Sequence, residues 1–311
     1  VNGKKLQRQY KKHLSSFNTW APREHAHQWI VYPENMGTHL SIDEVALSQG
    51  ELYTIVTNKK FKGKKGSLVA IVAGTKADKV IEHIRKIDYK KRSCVKEITL
   101  DMANSMKLIS KRCFPKATQV TDRFHVQKLA LEALQEIRIK HQWEAMDFEN
   151  QLILQAKREN QTYIPELLAN GDSVKQLLAR SRYVLYKSRE KWTENQNERA
   201  QLLFGLYPDI KTAYYLSQQL RGIYNSNNDK HIAMTKLAHW YRNVEESGFK
   251  NFNILLNTIT FNYRSILNYF DNRSTNAAAE SFNAKIKAFR SQFRGVRKID
   301  LFLFRLSNLF A

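Results

Sequence analysis

The sequence predicts a mixed α/β fold: a five-stranded sheet flanked by helices, with a large all-α insertion before the last core helix. Three observations predict it. Residues 39–73 read as three strands joined by short turns. Residues 76–140 then alternate helix and strand. Residues 143–270 carry helical spacing with no convincing strand.

Residues 1–38 are basic and aromatic, with Trp20, Trp29 and Tyr32, and read as a basic leader or linker. The first strand, HLSIDEVAL, sets Leu40, Ile42 and Val45 in an apolar pattern. A turn at Ser48-Gln49-Gly50 leads into ELYTIVT, with Leu52, Thr54 and Val56 on one face. The lysine- and glycine-rich KGKKG turn feeds SLVAIVAG, a nearly continuous apolar strand. A helix over 76–87 aligns Val80, Ile81, Ile84 and Ile87 on one side. The fourth strand, VKEITLD, ends at Asp101. A short helix over 103–113 carries Met106, Leu108 and Ile109 and stops before Pro115. The fifth strand, ATQVTD, ends at Asp122, and a long helix runs from about 124 to 140 or beyond.

Hairpins make the first three strands antiparallel, and helical crossovers make the last two parallel. That order is ribonuclease-H-like, and it makes the first and fourth strands neighbours. Within 143–270 the helices break near Pro165, Gly171, Pro208 and Asn225–Asn228. A last core helix spans 277–294, and the apolar IDLFLFRLSNLF packs back as another. The domain reading is therefore a leader over 1–38, a first core part over 39–142, an insertion over 143–270 and a last core part over 271–311.

Lys and Arg number 51 against 29 Asp and Glu, a formal net charge of +22. Such a charge repels itself and is relieved on a polyanion, so nucleic acid is the expected partner. At 42% apolar residues the chain supports a packed core and is not disordered. The two cysteines, Cys94 and Cys113, exclude a zinc ribbon or disulfide framework and suit a reducing cytosol. No run approaches the 18 apolar residues of a membrane span. The start lacks the apolar stretch of a signal peptide. The expected location is the cytoplasm.

Three acids stand out by position. Asp43 lies inside the otherwise apolar first strand, Asp101 ends the fourth, and Glu280 lies in the first turns of the last core helix. Carboxylates there are costly unless they face a cleft, pair, or bind cations. Hard oxygen donors suit Mg²⁺ or Mn²⁺. Two such ions about 3.5–4 Å apart would support phosphoryl transfer. In the last core helix Phe282, Ile286, Phe289 and Phe293 form one buried stripe. Glu280, Asn283 and Lys287 share another face, from which Glu280 faces metal while Asn283 and Lys287 reach substrate. The helix N-terminus favours an ionised Glu280.

Beyond them Lys285, Lys287, Arg290, Arg294, Arg297 and Lys298 make a candidate phosphate-contact stripe. For any one member a solvated helix face is an equal reading. A second basic run, Lys59, Lys60, Lys62, Lys64 and Lys65, reads equally as a solvated loop and as a DNA contact. Asp122 and His125 form a D-x-x-H pair that either orients itself structurally or touches a base or phosphate. Trp192 reads first as core packing and second as a base-stacking residue.

Four stretches together resemble the DDE transposases of bacterial insertion sequences, in particular the ISL-three family allied to the Mutator-like enzymes. They are HLSIDEVALSQGELYTIVTN, GKKGSLVAIVAGTK, VKEITLDMANSMKLISKRCFPKATQVTDRFHVQKLALEALQEIR and RSTNAAAESFNAKIKAFRSQFRGVRKIDLFLFRL. The succession TLDM, FP-A, DRFH and E-S-F-N carries the resemblance. It implies a ribonuclease-H-like core, a triad of Asp43, Asp101 and Glu280, and an auxiliary role for Asp122 and His125. Asp122 is the alternative second metal ligand; Asp101 is preferred because it ends the strand beside Asp43. The resemblance also implies two divalent ions, double-stranded DNA as element ends and target, and a homodimer or larger synaptic assembly. Many members carry an N-terminal zinc-binding or helix-turn-helix module. Here about 38 residues with no zinc-ligand set precede the first strand, so that module is expected to be separately encoded or missing. The rival readings are a non-catalytic DNA-binding descendant and a structure-specific nuclease on the same fold.

Overall fold

The five expected strands are all present in a computed structural model of the chain, and a sixth joins them. The structure describes residues 3–48, 50–226, 229–292, 296 and 298–311. They form two compact units, 1–122 with 264–311, and 123–263.

The first unit opens with α1 (Gly3–Gln9) and short helical turns, then β1 (Trp29–Val31), β2 (His39–Ser48), β3 (Glu51–Asn58) and β4 (Leu68–Ala73). Next come α2 (Ala77–Ile84), α3 (Tyr89–Ser93), β5 (Glu97–Leu100), α4 (Asn104–Cys113) and β6 (Thr118–Thr121). The sheet order is β1-β4-β3-β2-β5-β6. β1-β4, β4-β3 and β3-β2 pair antiparallel, and β2-β5 and β5-β6 pair parallel. The mixed sheet is compatible with a ribonuclease-H-like fold.

The added strand comes from the stretch read as a leader. Three residues are too few for alternation to register, and β1 exists because the free edge of β4 pairs with it, Ile30 opposite Ile71. Trp29 is stacked between the rings of His25 at 3.7 Å and His83 at 5.4 Å.

The second unit is helical: α5 (Arg123–Arg158), α6 (Val174–Arg180), α7 (Arg182–Tyr186), α8 (Glu194–Leu206), α9 (Pro208–Asn225), α10 (Lys230–Ser247) and most of α11 (Asn253–Leu267). Local chemistry sets their ends. Ser173 with Gln176, and Thr193 with Gln196, form capping boxes. Pro208 sits in the first turn of α9, and left-handed Gly248 ends α10. Trp192 is half-buried, donates its Nε1–H to the Val184 carbonyl at 2.9 Å and meets the Tyr214 ring at 5.5 Å. It packs against neighbouring aromatic rings at the edge of the core.

The chain returns through α12 (Tyr269–Asn272), α13 (Ala277–Gln292) and α14 (Ile299–Phe310). Asn268 Nδ2 donates to the Gln119 carbonyl at 2.9 Å, and Asn272 Nδ2 to Glu97 Oε2 at 3.2 Å. These bonds moor the returning segment to β5 and β6. Two apolar layers then sandwich the sheet. Leu40, Ile42, Ile98 and Leu100 pack with Val80, Ile84, Met106 and Ile109 on one face. Val45, Leu47, Ile55 and Ile71 pack with Phe282, Ile286, Leu303 and Leu306 on the other. Phe17 and Trp20 set their rings edge-on against Phe304 at 5.4 and 5.5 Å, so the N-terminal segment is fastened to α14.

Asp172 staples the second unit. Its carboxylate, 1% exposed, accepts from Arg199 Nε at 3.0 Å and from Arg180. Burial pushes its pKa up, but the two guanidiniums outweigh this and hold it below the ordinary carboxylate range. The folded state therefore binds this proton less tightly than the unfolded chain, and the stabilisation is lost as pH falls below the ordinary value of about 4. Asp172→Ala is expected to lower the unfolding free energy by about 2–3 kcal/mol at pH 7, less than a fully buried pair because Arg180 is half exposed. Urea titrations at pH 7 and pH 3 should show the gap between the two proteins closing in acid.

Candidate functional site

The C-terminal ends of β2, β5 and β6 point the same way because these strands are parallel. The β2-β5 register ends with Ser41 opposite Thr99, and Asp43 and Asp101 each lie two residues further along their own chain segment. The β5-β6 register pairs Leu100 with Thr121, and one residue further it sets Asp101 across from Asp122. The Asp122 amide prolongs that ladder, donating to the Leu100 carbonyl at 3.1 Å. Asp101 and Asp122 thus stand side by side, one residue past the last paired positions of β5 and β6.

Two of the carboxylates are held by a loop or a neighbouring side chain. Asp101 Oδ1 accepts the Ala103 amide at 2.9 Å, which closes the turn after β5. Asp43 Oδ1 accepts the Glu44 amide at 2.8 Å, and its Oδ2 accepts Asn283 Nδ2 at 2.7 Å. Asn283 therefore serves the first aspartate instead of reaching outward. Phe282 and Ile286, both fully buried, press α13 onto the sheet beside β2. Arg290 Nη1 donates to the Ala46 carbonyl at 3.2 Å, and Lys285 Nζ to the Gly63 carbonyl at 2.7 Å. Two members of the expected phosphate stripe thus help dock their own helix. Lys287 and Lys298 are exposed, and Arg294, Arg297 and Phe293 lie outside the described residues.

Glu280 is exposed in the first turn of α13, three residues before Asn283 and so on the same side of the helix. Asp122 is 1% exposed. His125, in the first turn of α5, is half-buried with its ring 5.6 Å from that of Phe124.

Sequence reasoning passed over Glu44. Strand alternation sends it to the face opposite Asp43, so it reads as an ordinary acid. Burial raises its pKa, and the negative charges of Asp101 and Asp43 raise it further. On α4, Lys107 has its pKa lowered by burial, while Asp101 pulls the other way. The strand ends therefore carry a cluster of mutually repelling carboxylates. Its hard oxygen donors suit Mg²⁺ or Mn²⁺ in kind. Among the described residues no three His, Cys, Asp or Glu side chains are gathered closely enough to hold a metal ion. Asp43 and Asp101 both act on Glu44, and Glu280 lies in the first turn of α13.

A family model described as transposase, that of the ISL-three DDE enzymes, matches residues 40–306. No curated protein and no solved structure matches the chain. No helix among the described residues is long and apolar enough to cross a membrane.

The Asn283–Asp43 bond joins a neutral donor to a carboxylate across 240 residues of chain. Asn283→Ala is expected to cost about 1.5–3 kcal/mol of stability, the range for hydrogen bonds to charged groups. Urea unfolding checks this, and an unchanged midpoint would show the bond to be energetically idle.

Proposed function

This chain belongs to the ISL-three family of DDE transposases, and from that premise we propose that it cuts DNA at element ends and joins the freed 3′-hydroxyls to target DNA. The observation that supports the reading is that Asp43, within β2, and Asp101, just past the parallel β5, both act electrostatically on Glu44. We assign Asp43, Asp101 and Glu280 to hold two divalent ions, Mg²⁺ or Mn²⁺. Such ions, when bound, make a water or a 3′-hydroxyl nucleophilic and stabilise the departing oxygen.

The chain's own residues do the rest. Asn283 fixes the rotamer of Asp43, so one carboxylate is aimed before substrate arrives. The Asp101 turn fixes the second. Glu44 adds negative potential that favours cations over a bare cluster. Asp122, in line behind Asp101, and His125 serve as auxiliary groups. No side chain need form a covalent bond to DNA, because water or a 3′-hydroxyl attacks phosphorus directly and the displaced 3′-oxygen leaves. Lys287 and Lys298, with the basic residues beyond Gln292, contact phosphates. Two ends cut in concert call for a homodimer or larger assembly on double-stranded DNA, and a separately encoded N-terminal module is a candidate partner.

Asp43→Asn, Asp101→Asn and Glu280→Gln should each reduce metal-dependent cutting of an element-end substrate. The loss should exceed the about 10–100-fold that follows removal of an outer-shell partner, with DNA binding nearly intact. Retained cutting in any of the three would overturn its assignment, and cutting without joined products would leave a nuclease.

Mg²⁺ at about a hundredfold over its dissociation constant should stabilise the wild-type protein by about 2.7 kcal/mol. In a thermal-shift measurement Asp43→Asn should show little of that effect.

A further inference from the structure

We propose that the turn between β3 and β4, residues 59–66, is a preformed phosphate-binding element that grips the DNA backbone next to the site on α13 and β2. The inference rests on the reading of the chain as a DNA-cutting enzyme and adds a contact that the family match does not assign.

The turn is rigid. Asn58 Oδ1 accepts the Lys60 amide at 3.0 Å, and the Asn58 amide donates to the Ser67 carbonyl at 2.7 Å. Inside the loop the amides of Lys62, Lys64 and Ser67 donate to the carbonyls of Lys59, Phe61 and Lys64 at 3.0–3.2 Å. Lys62, Gly63 and Gly66 all have positive φ, at 51°, 71° and 87°. For Lys62 that conformation is strained, and only a specified loop geometry holds it. The Phe61 ring covers Gly66 so closely that a Cβ there would lie 3.1 Å from it. The floor is a buried ion pair, Lys59 Nζ to Glu97 Oε1 at 3.6 Å, with Lys59 also donating to Thr99 Oγ1 at 2.7 Å. Lys59 is thus an anchor and not a ligand group.

The other four lysines, Lys60, Lys62, Lys64 and Lys65, are exposed, and among the described residues none is paired with an acid. A mobile loop would spread four like charges apart. This one fixes them together, in a protein that already carries +22, and a polyanion relieves that repulsion. Ammonium groups are point charges without the planar fork that reads bases, so the contact is to phosphate and independent of sequence.

The position follows from α13. Lys285 latches onto Gly63, and Lys285 lies five residues, about 7.5 Å along the helix axis, from Glu280. The same helix holds Asp43 through Asn283. A duplex lying at the carboxylates would therefore pass the lysines within a few phosphates.

The test is the salt dependence of binding to a labelled DNA duplex of arbitrary sequence. Each phosphate contact contributes about 0.9 to the slope of log K against log salt. The triple variant Lys62→Ala, Lys64→Ala, Lys65→Ala should flatten that slope by about 2–3 and weaken element-end and arbitrary duplexes alike. A control triple at the exposed Lys90, Lys111 and Lys116 should leave the slope unchanged. An unchanged slope in the first triple, with a wild-type protein that binds and cuts DNA, overturns this inference alone. A wild-type protein that neither binds nor cuts DNA overturns the functional reading with it. Loss of sedimentation with anionic vesicles but not of DNA binding would assign the turn to a membrane surface instead.

Discussion

The parallel pairing of β2 with β5 is the constraint on which the rest of this structure depends. It brings together residues 58 positions apart, with His39 opposite Glu97. Parallel strands cannot be joined by a hairpin, so the chain must leave the sheet and cross over. β3, β4, α2 and α3 lie between the two partners, and α2 covers the face that β2 and β5 share. Once that ladder is set, the pleat decides the remainder. Odd-numbered β2 residues face α13 and even-numbered ones face α2 and α4, as Val45 and Leu47 against Leu40 and Ile42 show. Asp43 therefore rises on the α13 side, where Asn283 meets it.

A carboxylate in that position is a liability that the surroundings manage. The α13 face of the sheet is apolar at Val45, Leu47 and Ile55, where Phe282 and Ile286 close over it. Toward the other end of the strands it turns polar, with Ser41, Thr57 and Thr99 buried around Lys59 and Glu97. Asp43 marks the change. Asn283 lies on the helix that covers the apolar part and reaches the acid at its border. One helix thus seals the core, orients an acid, carries Glu280 and latches the lysine turn. Few positions on its surface are idle, which explains why two of its basic residues bond to backbone carbonyls of β2 and of the turn.

The electrostatics divide along the same line. Negative groups collect at the strand ends, where Glu44 registers the charges of Asp43 and Asp101. Positive groups collect on the turn and on the exposed side of α13. The proposed function, with cations among carboxylates beside a bound polyanion, would need both signs close together and kept apart by rigid backbone. The buried Lys59–Glu97 pair pins the base of the turn and supplies part of that rigidity.

Most of this architecture is legible in the amino-acid order. Alternation in HLSIDEVAL and ELYTIVT, the apolar run SLVAIVAG, and the helical stripes of 76–87 and 277–294 each report a local periodicity, and local periodicity needs no partner to be read. The acids at strand ends are legible for the same reason, since a charge inside or just after an apolar strand is conspicuous by itself. β1, the roles of Asn283, Lys285 and Arg290, and the charge that Glu44 feels were not. Trp29–Val31 is a strand only because β4 offers an edge. Asn283 is a ligand of Asp43 only because two buried aromatic and aliphatic side chains press α13 into place. Sequence alone determined which elements form and which residues carry charge, because those follow from short-range pattern and composition. Tertiary structure alone decided which of those charges meet, because hydrogen bonds and Coulomb forces act across a few ångströms of space whatever the separation along the chain.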